Sequence, residues 1–461
     1  MLTPPEPEGS PAPPPAGRAN GFLFNVNLVF FSQIAIYGLA FALRVVLAQG
    51  LGDTGLGTYS LFFVAVIVAG GIANLGVGLG NIYFLNKGTY PYRTLLSGSV
   101  FVLLASTATA WAAVGAWGLL YGDELFVEGA AFWLYAAALP AVVAYVLLTS
   151  FLHGESRFFA LSSVAIVQGL AGVAVAGGLY AFDELDVLGA IIAFASSFVV
   201  ADVICFAIVA AGRLDLGGVL KPDFGALREQ IRYGAQGQIA NLAQLFNYRL
   251  DQFLVAAFVS RAGVGHYTVA VGLSESVWWI SSAVAMVLLP RLTGMDRDRA
   301  SEVTPVICRN TLAVSIVAGI GLVAVSPLAI RILFGREFDP SFLPLVLLMP
   351  GIIATSATRV LGSYLFSQGH IIYNTYATFI ALGVTLALDF ALIPWLEVEG
   401  AAIASSIAYT FSLVATLAWY RKVSGGSIAG ALLIRPSDAE MYAGVVRRVL
   451  GRKAPAETGS G

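Results

Sequence analysis

Eight polar or charged side chains interrupt an otherwise apolar stretch between Arg232 and Ser260. They are Gln236, Gln238, Asn241, Gln244, Asn247, Arg249, Asp251 and Gln252. At about 100° per residue, Gln236, Gln244, Asn247 and Asp251 share one helix face, and Gln238 and Arg249 share a second. A charge at the bilayer centre costs roughly 2.5–3.5 kcal/mol, so such a helix faces a wet cavity or a partner. We interpret it as the lining of a polar substrate pathway; the alternative is that an Arg–Asp pair and amides hold helices together.

Two more arginines, Arg44 and Arg359, lie within apolar stretches, and Arg44 follows Gln33 and Tyr37 on one face of the first predicted helix. Arginine binds phosphate bidentately and stays charged when buried. Three arginines in a cavity therefore predict an anionic, phosphate-bearing substrate, unless they pair with Asp202, Asp251, Glu275 or Asp389. The candidate cavity residues are Arg44, Arg249, Arg359, Gln33, Tyr37, Gln244, Asn247 and Gln252. The candidates for coupling transport to an ion are Asp251, Glu275 and Asp389.

Enzymatic motifs are absent from the sequence. It contains no G-x-x-x-x-G-K-[ST] phosphate loop and no cluster of metal-ligating residues, and its three histidines all lie near predicted helix ends. Gly76-x-Gly78-x-Gly80 lies in an apolar helix, which indicates close helix packing rather than dinucleotide binding. We therefore expect a protein that is not an enzyme and that needs no cofactor or metal.

The composition is that of a membrane protein. Of 461 residues, 58% are hydrophobic and 11% are charged, whereas soluble proteins are usually about 25% charged. The net charge of −2 gives no indication of nucleic-acid binding. Cys205 and Cys308 both lie in or beside apolar stretches, where packing is the expected role.

Twelve stretches are long and apolar enough to span a bilayer, which needs about 20 residues each. They cover residues 22–49, 57–85, 94–121, 129–152, 158–181, 187–212, 229–259, 264–290, 303–328, 341–368, 371–395 and 399–421. The predicted organisation is a disordered Pro-rich tail (1–20), an N-terminal lobe of six helices (21–212), a linker (213–228), a C-terminal lobe of six helices (229–421) and a basic tail (422–461), with an amphipathic helix near Met441–Leu450.

Lysine and arginine are distributed unevenly among the connections. With the N-terminus inside, 19 of the 25 fall on the cytoplasmic side and 3 outside, while the outer loops are acidic. The excess of positive charge on the inner side predicts a multi-pass protein of the cytoplasmic membrane with both termini in the cytoplasm.

The two halves of the sequence repeat. Gly55–Ser60 matches Gly263–Thr268 at an offset of 208, Pro140 matches Pro350 at 210, Asp186–Ala190 matches Glu397–Ala401 at 211, and Gly154 matches Gly369 at 215. Six spans in each half is an even number, so the halves keep the same orientation. The fold class expected is an all-α membrane protein of two pseudo-symmetric six-helix bundles with a site between them.

The segment N-Y-R-L-D-Q-F-L-V-A-A-F-V-S-R-A-G-V-G-H-Y-T-V-A (Asn247–Ala270) resembles the seventh-helix signature of oligosaccharide-lipid flippases, and L-A-Q-G-L-G-D-T-G-L-G-T-Y-S-L (Leu47–Leu61) looks like its N-terminal counterpart. This family is the polysaccharide exporter branch of the multidrug/oligosaccharidyl-lipid/polysaccharide superfamily. The resemblance implies two six-helix bundles in a V. It also implies flipping of a polyprenyl-diphosphate-linked oligosaccharide to the outer leaflet for polysaccharide biosynthesis.

Two other functions are weighed against this one. A cation-coupled multidrug antiporter of the same superfamily would have an acid-dominated lumen with few arginines. A membrane polysaccharide polymerase or ligase would need catalytic residues in long outer loops, and these loops are short. The expected partners are the lipid-linked oligosaccharide, membrane lipids and other proteins of polysaccharide assembly.

Overall fold

The computed structural model describes residues 16–121, 131–211, 222–435 and 438. Within these ranges, the chain forms helices and no strands. The α-helices are α1 (Ala16–Ala73), α2 (Val77–Lys87), α3 (Tyr92–Tyr121), α4 (Ala131–Gly154), α5 (Phe158–Ala181), α6 (Val187–Ala210), α7 (Phe224–Phe258), α8 (Arg261–Ser274), α9 (Trp278–Thr293), α10 (Arg297–Leu333), α11 (Phe342–Ser367), α12 (Ile371–Ser424) and α13 (Ile428–Leu432). Short 3-10 helices cover Glu275–Val277 and Arg336–Ser341.

Nine helical segments of the described residues are long and apolar enough to cross a membrane. Two of them, Val29–Ala73 and Ile371–Ser424, each provide two spans, because the backbone leaves helical geometry at Gly52 (φ 67°) and at Glu397 (φ 52°). The remaining span is α7, which is 35 residues long but too polar to count among the nine. The architecture of twelve membrane helices is thereby confirmed.

Several helix boundaries differ from the prediction because of local backbone conformation and helix capping. The connections predicted around residues 50–56 and 396–398 are single-residue breaks in continuous helices. The second predicted span is interrupted after Ala73 by a turn in which Gly76 has a φ of 80°. Helix α7 begins at Phe224, inside the predicted linker, because the Asp223 side chain accepts hydrogen bonds from the backbone N–H groups of Gly225 and Ala226. The proposed helix at 441–450 lies outside the described residues.

The two halves meet through a pair of glycines that the repeat relates. A Cβ atom on Gly57 would lie 1.8 Å from the carbonyl oxygen of Arg261, and one on Gly265 would lie 2.0 Å from the carbonyl oxygen of Asp53. The offset of 208 converts Gly57 into Gly265 and Asp53 into Arg261, so each half presents the same backbone contact to the other. Because the contact is mutual, as around a two-fold axis, the repeat extends from the sequence to the tertiary packing.

A second contact between the halves joins α2 to the first part of α7. A Cβ atom on Gly234 would lie 1.8 Å from the carbonyl oxygen of Gly76, and one on Gly80 would lie 2.6 Å from that of Gln230. The Gln230 amide also donates to Asn81 at 2.6 Å. The glycines at 76 and 80 therefore serve close helix packing, as the sequence indicates.

The chain beyond α12 folds back onto the C-terminal half. The Arg309 guanidinium in α10 makes a bidentate pair with Asp438, at 2.5 and 2.7 Å, and also donates to the carbonyl oxygen of Gly430 at 3.2 Å. Both members of the pair are buried. This pair attaches the tail segment that includes α13 to the side of α10.

Candidate functional site

A cavity of about 260 Å³ lies between the halves, and all three predicted intramembrane arginines line it. We call it the arginine cavity. The N-terminal half contributes one face of α1, and the C-terminal half contributes α7, α8, α9 and α11. Its lining residues are Tyr37, Ala40, Phe41, Arg44, Tyr248, Arg249, Gly272, Glu275, Trp278, Trp279, Ser282 and Arg359. The predicted face of the first helix is thus present for Tyr37 and Arg44.

Arg249 is held by a carboxylate in this cavity. Its two terminal nitrogens donate to the two oxygens of Glu275, at 3.0 and 3.4 Å, and both side chains keep about a fifth of their surface exposed. Asp251, two residues away from Arg249, points elsewhere because successive helical residues are separated by about 100°. Glu275 therefore neutralises one of the three arginines.

Arg44 has no hydrogen bond or ion pair within the part of the chain that the structure describes. It interacts electrostatically with both Glu275 and Arg249. Its guanidinium packs directly on the backbone of α8, since a Cβ atom on Gly272 would lie 1.6 Å from its Nη1 atom. Gly272 therefore creates the space in which the Arg44 charge sits.

Arg359 stands where the arginine cavity meets a second cavity. It donates a hydrogen bond to the hydroxyl of Ser282, and its guanidinium carbon lies 5.1 Å from the centre of the Trp278 ring. A guanidinium over an indole face gains a cation–π attraction. No carboxylate pairs with Arg359 among the described residues, so its positive charge is not neutralised by the protein there.

The second cavity, of about 540 Å³, is lined by the C-terminal half alone, as far as the described residues go. We call it the polar chamber. Its lining comprises Gln244, Asn247, Tyr248, Ser282, Ala285, Met286, Leu289, Thr355, Thr358, Arg359, Gly362, Ser363, Phe366, Asn374, Ala377, Thr378, Tyr409, Ser412 and Thr416. Tyr248, Ser282 and Arg359 line both cavities. Two of the four predicted amides, Gln244 and Asn247, line this chamber and not the arginine cavity.

Aromatic side chains frame the junction between the two cavities. Tyr248 packs against Trp278 at 4.9 Å between ring centres, and Tyr409 approaches both rings at about 6 Å. Tyr37 of the N-terminal half stacks on Trp279 of the C-terminal half at 5.2 Å. Of these aromatic residues, sequence reasoning identified Tyr37 and missed Tyr248, Trp278, Trp279 and Tyr409. The only local signal was the run Trp278-Trp279 followed by Ser281-Ser282 at the start of α9.

The two predicted acids that do not reach the cavities lie buried between α7 and α12. Asp251 accepts hydrogen bonds from the Tyr267 hydroxyl and, at 3.2 Å, from Ser405. Asp389 is fully buried, and neither of its oxygens has a hydrogen-bond partner within the described part of the chain. About one turn before it, Thr385 donates to the Asn247 amide oxygen at 3.0 Å.

Gln33 and Gln252 line neither cavity. Gln33 lies one helical turn before Tyr37, which is the first described residue of α1 that lines the arginine cavity. Gln252 is 4% exposed and is enclosed by packing. The offset of 208 pairs Arg44 with Gln252, but the residue of α7 that reaches the shared cavity is Arg249, almost one turn earlier.

Comparisons with known proteins agree on one architecture. Residues 129–343 match a family described as polysaccharide biosynthesis proteins. The chain is similar in structure to the lipid II flippase MurJ in an inward closed conformation, with a TM-score of 0.68 and 13% identity over 93% of this chain and 100% of that one. No curated protein matches the sequence.

Two further solved structures come from transporters of the MOP superfamily. An inward-facing multidrug resistance transporter of the MATE family gives a TM-score of 0.67 at 14% identity, covering 85% of this chain and 94% of that one. A Pyrococcus furiosus transporter, described as having a binding pocket of reverse polarity, gives 0.58 at 14% identity, covering 87% and 94%. The chain is a multi-pass membrane protein with the fold of the MOP superfamily, and it resembles the polysaccharide branch to which the segment Asn247–Ala270 points.

Proposed function

We propose that this protein flips a polyprenyl-diphosphate-linked oligosaccharide from the cytoplasmic to the outer leaflet by alternating access between its two halves. The observation that carries the proposal is the arginine cavity. Three arginines from both halves line it, and a single glutamate opposes them. The match to polysaccharide biosynthesis proteins and the likeness to a lipid II flippase support the same substrate class.

The charge of the arginine cavity suits a diphosphate. Glu275 neutralises Arg249, so within the described part of the chain Arg44 and Arg359 leave two uncompensated positive charges. A diphosphate bridge carries about two negative charges, and each guanidinium can donate two parallel hydrogen bonds to phosphate oxygens. Burying such a diphosphate beside two unpaired arginines replaces two costly isolated charges with paired ones.

The membrane potential favours the direction proposed. Moving one negative charge outward across a membrane that is negative inside releases about 2.3 kcal/mol per 100 mV. If Arg44 and Arg359 move with the cargo, part of that energy is cancelled. Coupling to an ion would then supply the remainder.

The buried acids are our candidates for that coupling. Asp251 and Asp389 sit together in the C-terminal half, and Asp389 has no hydrogen-bond partner among the described residues. A buried carboxylate without a partner is costly unless a proton or a cation neutralises it. Glu275 has its positive partner in Arg249, so we assign the coupling to the Asp251–Asp389 pair rather than to Glu275.

Replacing Asp389 with asparagine tests this assignment. The neutral isostere removes the unpaired charge, so we expect the purified protein to be at least as stable as the wild type and its transport to lose its dependence on sodium or pH. Flipping rates in proteoliposomes, measured across sodium and pH gradients, check the expectation. An ion dependence equal to that of the wild type would exclude this pair as the coupling site.

The second candidate function is a cation-coupled multidrug antiporter, which the buried acid pair and the likeness to a multidrug transporter favour. The net positive charge of the arginine cavity opposes it, because a cationic drug would be repelled. A polysaccharide polymerase or ligase has no observation in its favour among the described residues.

Flipping of a fluorescent polyprenyl-diphosphate oligosaccharide in proteoliposomes tests the lead proposal. We expect Arg44→Gln to reduce the rate at least about 100-fold, since a charge-assisted phosphate contact is lost in a desolvated site. Arg44 is the arginine to replace, because it pairs with no carboxylate among the described residues and its loss therefore leaves no carboxylate without a partner. Arg299→Gln is the matched control, as Arg299 is an exposed arginine at the start of α10.

Three outcomes are distinguishable in that assay. Loss of flipping in Arg44→Gln but not in Arg299→Gln supports the proposal. Wild-type rates in a correctly inserted Arg44→Gln protein would show that this arginine is structural. Wild-type protein that moves no lipid but exports a cationic dye would support the antiporter.

A further inference from the structure

The polar chamber differs from the arginine cavity in chemistry as well as in position. Twelve of the described side chains that line it are uncharged amides or hydroxyls, and the one charged residue among them is Arg359 at the junction. No aspartate or glutamate is among the described residues that line it. A wall of this kind attracts hydroxyl-rich groups and contributes little to holding a phosphate.

The hydrogen bonds within the wall leave capacity for a ligand. The single hydrogen of the Thr378 hydroxyl is shared between the Gln244 amide oxygen at 3.0 Å and the Asn374 carbonyl oxygen at 3.1 Å. The Gln244 NH₂ group has no hydrogen-bond partner in the described part of the chain. Thr355 and Thr416 donate to carbonyl oxygens of their own helices, at 3.0 and 2.8 Å. Their hydroxyl oxygens therefore remain available as acceptors. The wall offers both donors and acceptors, which is what a sugar hydroxyl requires.

Comparison of the two repeats shows that the helices lining the polar chamber do not need polar side chains at these positions in order to form the fold. At offsets of 210 and 211, Thr355, Thr358, Ser412 and Thr416 correspond to Tyr145, Leu148, Ala201 and Cys205. In the N-terminal half these four counterparts pack into one apolar cluster between α4 and α6. The same helices thus make a filled core in one half and a hydroxyl-lined chamber in the other.

We propose that the polar chamber is the binding subsite for the sugar residues nearest the diphosphate, and that it accepts neutral or acidic sugars and rejects cationic ones. The inference rests on the proposed function, because it requires the diphosphate in the adjoining arginine cavity. Arg359, which lines both cavities, stands beside the first sugar. An amino sugar with a free ammonium group would meet this guanidinium with no carboxylate in the chamber wall to offset the repulsion.

Binding to the purified protein separates the two subsites. The reference probe is farnesyl methyl diphosphate, which carries the diphosphate charge and no sugar. The test probes are farnesyl diphosphates linked to glucose, N-acetylglucosamine, glucuronic acid and glucosamine. Quenching of tryptophan fluorescence reports binding, since Trp278 and Trp279 line the arginine cavity.

We expect at least one of glucose, N-acetylglucosamine and glucuronic acid to bind about tenfold more tightly than the reference, and glucosamine to show no gain. Gln244→Met and Thr355→Val should remove most of that gain without changing the affinity for the reference. Thr109→Val is the matched control, because Thr109 is exposed on α3 and its hydroxyl is bonded within its own helix.

The outcomes separate failure of the subsite from failure of the function. If the reference binds but no sugar improves binding, or if Gln244→Met and Thr355→Val keep the full gain, the chamber is a water-filled vestibule and the inference is wrong. A gain for glucosamine equal to that for N-acetylglucosamine overturns the charge selection. If the wild type does not bind the reference at all, the proposed function itself fails.

Discussion

The N-terminal and C-terminal halves are built on the same repeat, but they differ where a cargo would touch them. Tyr145, Leu148, Ala201 and Cys205 fill the space between α4 and α6 with apolar packing. Their counterparts in the C-terminal half are four hydroxyl residues that line an open chamber. Among the described residues, the N-terminal half contributes only α1 to the arginine cavity, whereas the C-terminal half contributes Arg249, Glu275 and Arg359.

The halves agree where they touch each other. Gly57 and Gly265 make reciprocal backbone contacts that no larger residue would allow. The comparison suggests that the repeat is retained where the two halves must pack, and lost where one half binds. On this interpretation the N-terminal half contributes Arg44 to phosphate binding, and the C-terminal half carries the recognition of the sugar.

The largest effect should come from the glycines that the halves share. Gly57→Val and Gly265→Val each place a side chain against a backbone carbonyl within about 2 Å, so the halves must separate. We expect each to destabilise the protein by about 3 kcal/mol or more, at the upper end for overpacking. Thermal unfolding in detergent measures this, with Gly38→Ala as control because open space surrounds Gly38.

The symmetry of that contact makes the prediction sharper. Both valine variants should be affected to a similar degree, because the two contacts are equivalent. A large loss for one and none for the other would mean that the packing is not reciprocal.

An intermediate effect should follow when a residue that lines the polar chamber is replaced by the residue at the corresponding position of the N-terminal half. Thr355→Tyr inserts the Tyr145 side chain into the chamber, and we expect flipping to fall at least about tenfold, because the bulky ring occupies the sugar subsite. The smaller graft Ser412→Ala should cost about fivefold or less, since only one hydroxyl is lost. Flipping in proteoliposomes measures both.

The reverse grafts provide the control for these two variants. Ala201→Ser and Cys205→Thr introduce hydroxyls into the packed N-terminal cluster. They should lower stability by about 1 kcal/mol, because each buries a polar group in an apolar cluster, and leave flipping unchanged. A fall in flipping equal to that of Thr355→Tyr would contradict the division of roles between the halves.

The smallest effect concerns the tail segment that Arg309 attaches to the C-terminal half. The corresponding segment after α6 in the N-terminal half lies outside the described residues. The hydrogen bonds from Arg309 and from the backbone N–H of Arg435 lower the pKa of Asp438 to about 2. Attachment of the tail is therefore complete above the ordinary aspartate pKa of about 3.9 and is lost as the pH falls through about 2.

Asp438→Asn should release the tail at neutral pH without unfolding the helices. Amide hydrogen exchange in Ile428–Leu432 should become faster, while exchange in α10 stays as in the wild type. Exchange that does not change in Ile428–Leu432 would show that packing rather than the ion pair holds the tail.

The sequence by itself determined the membrane class, the twelve helices, the repeat and the unusual polarity of α7, because hydropathy and helical period are local properties of the chain. It also identified Arg44, Arg249 and Arg359 as unusual. Only the tertiary structure decided that these three share one cavity and that Glu275, rather than Asp251, pairs with Arg249. It also revealed the polar chamber, whose lining comes from α7, α9, α11 and α12. Such arrangements depend on which helix faces meet across the fold, and contacts such as that of Gln244 with Thr378 join residues 134 positions apart in the chain.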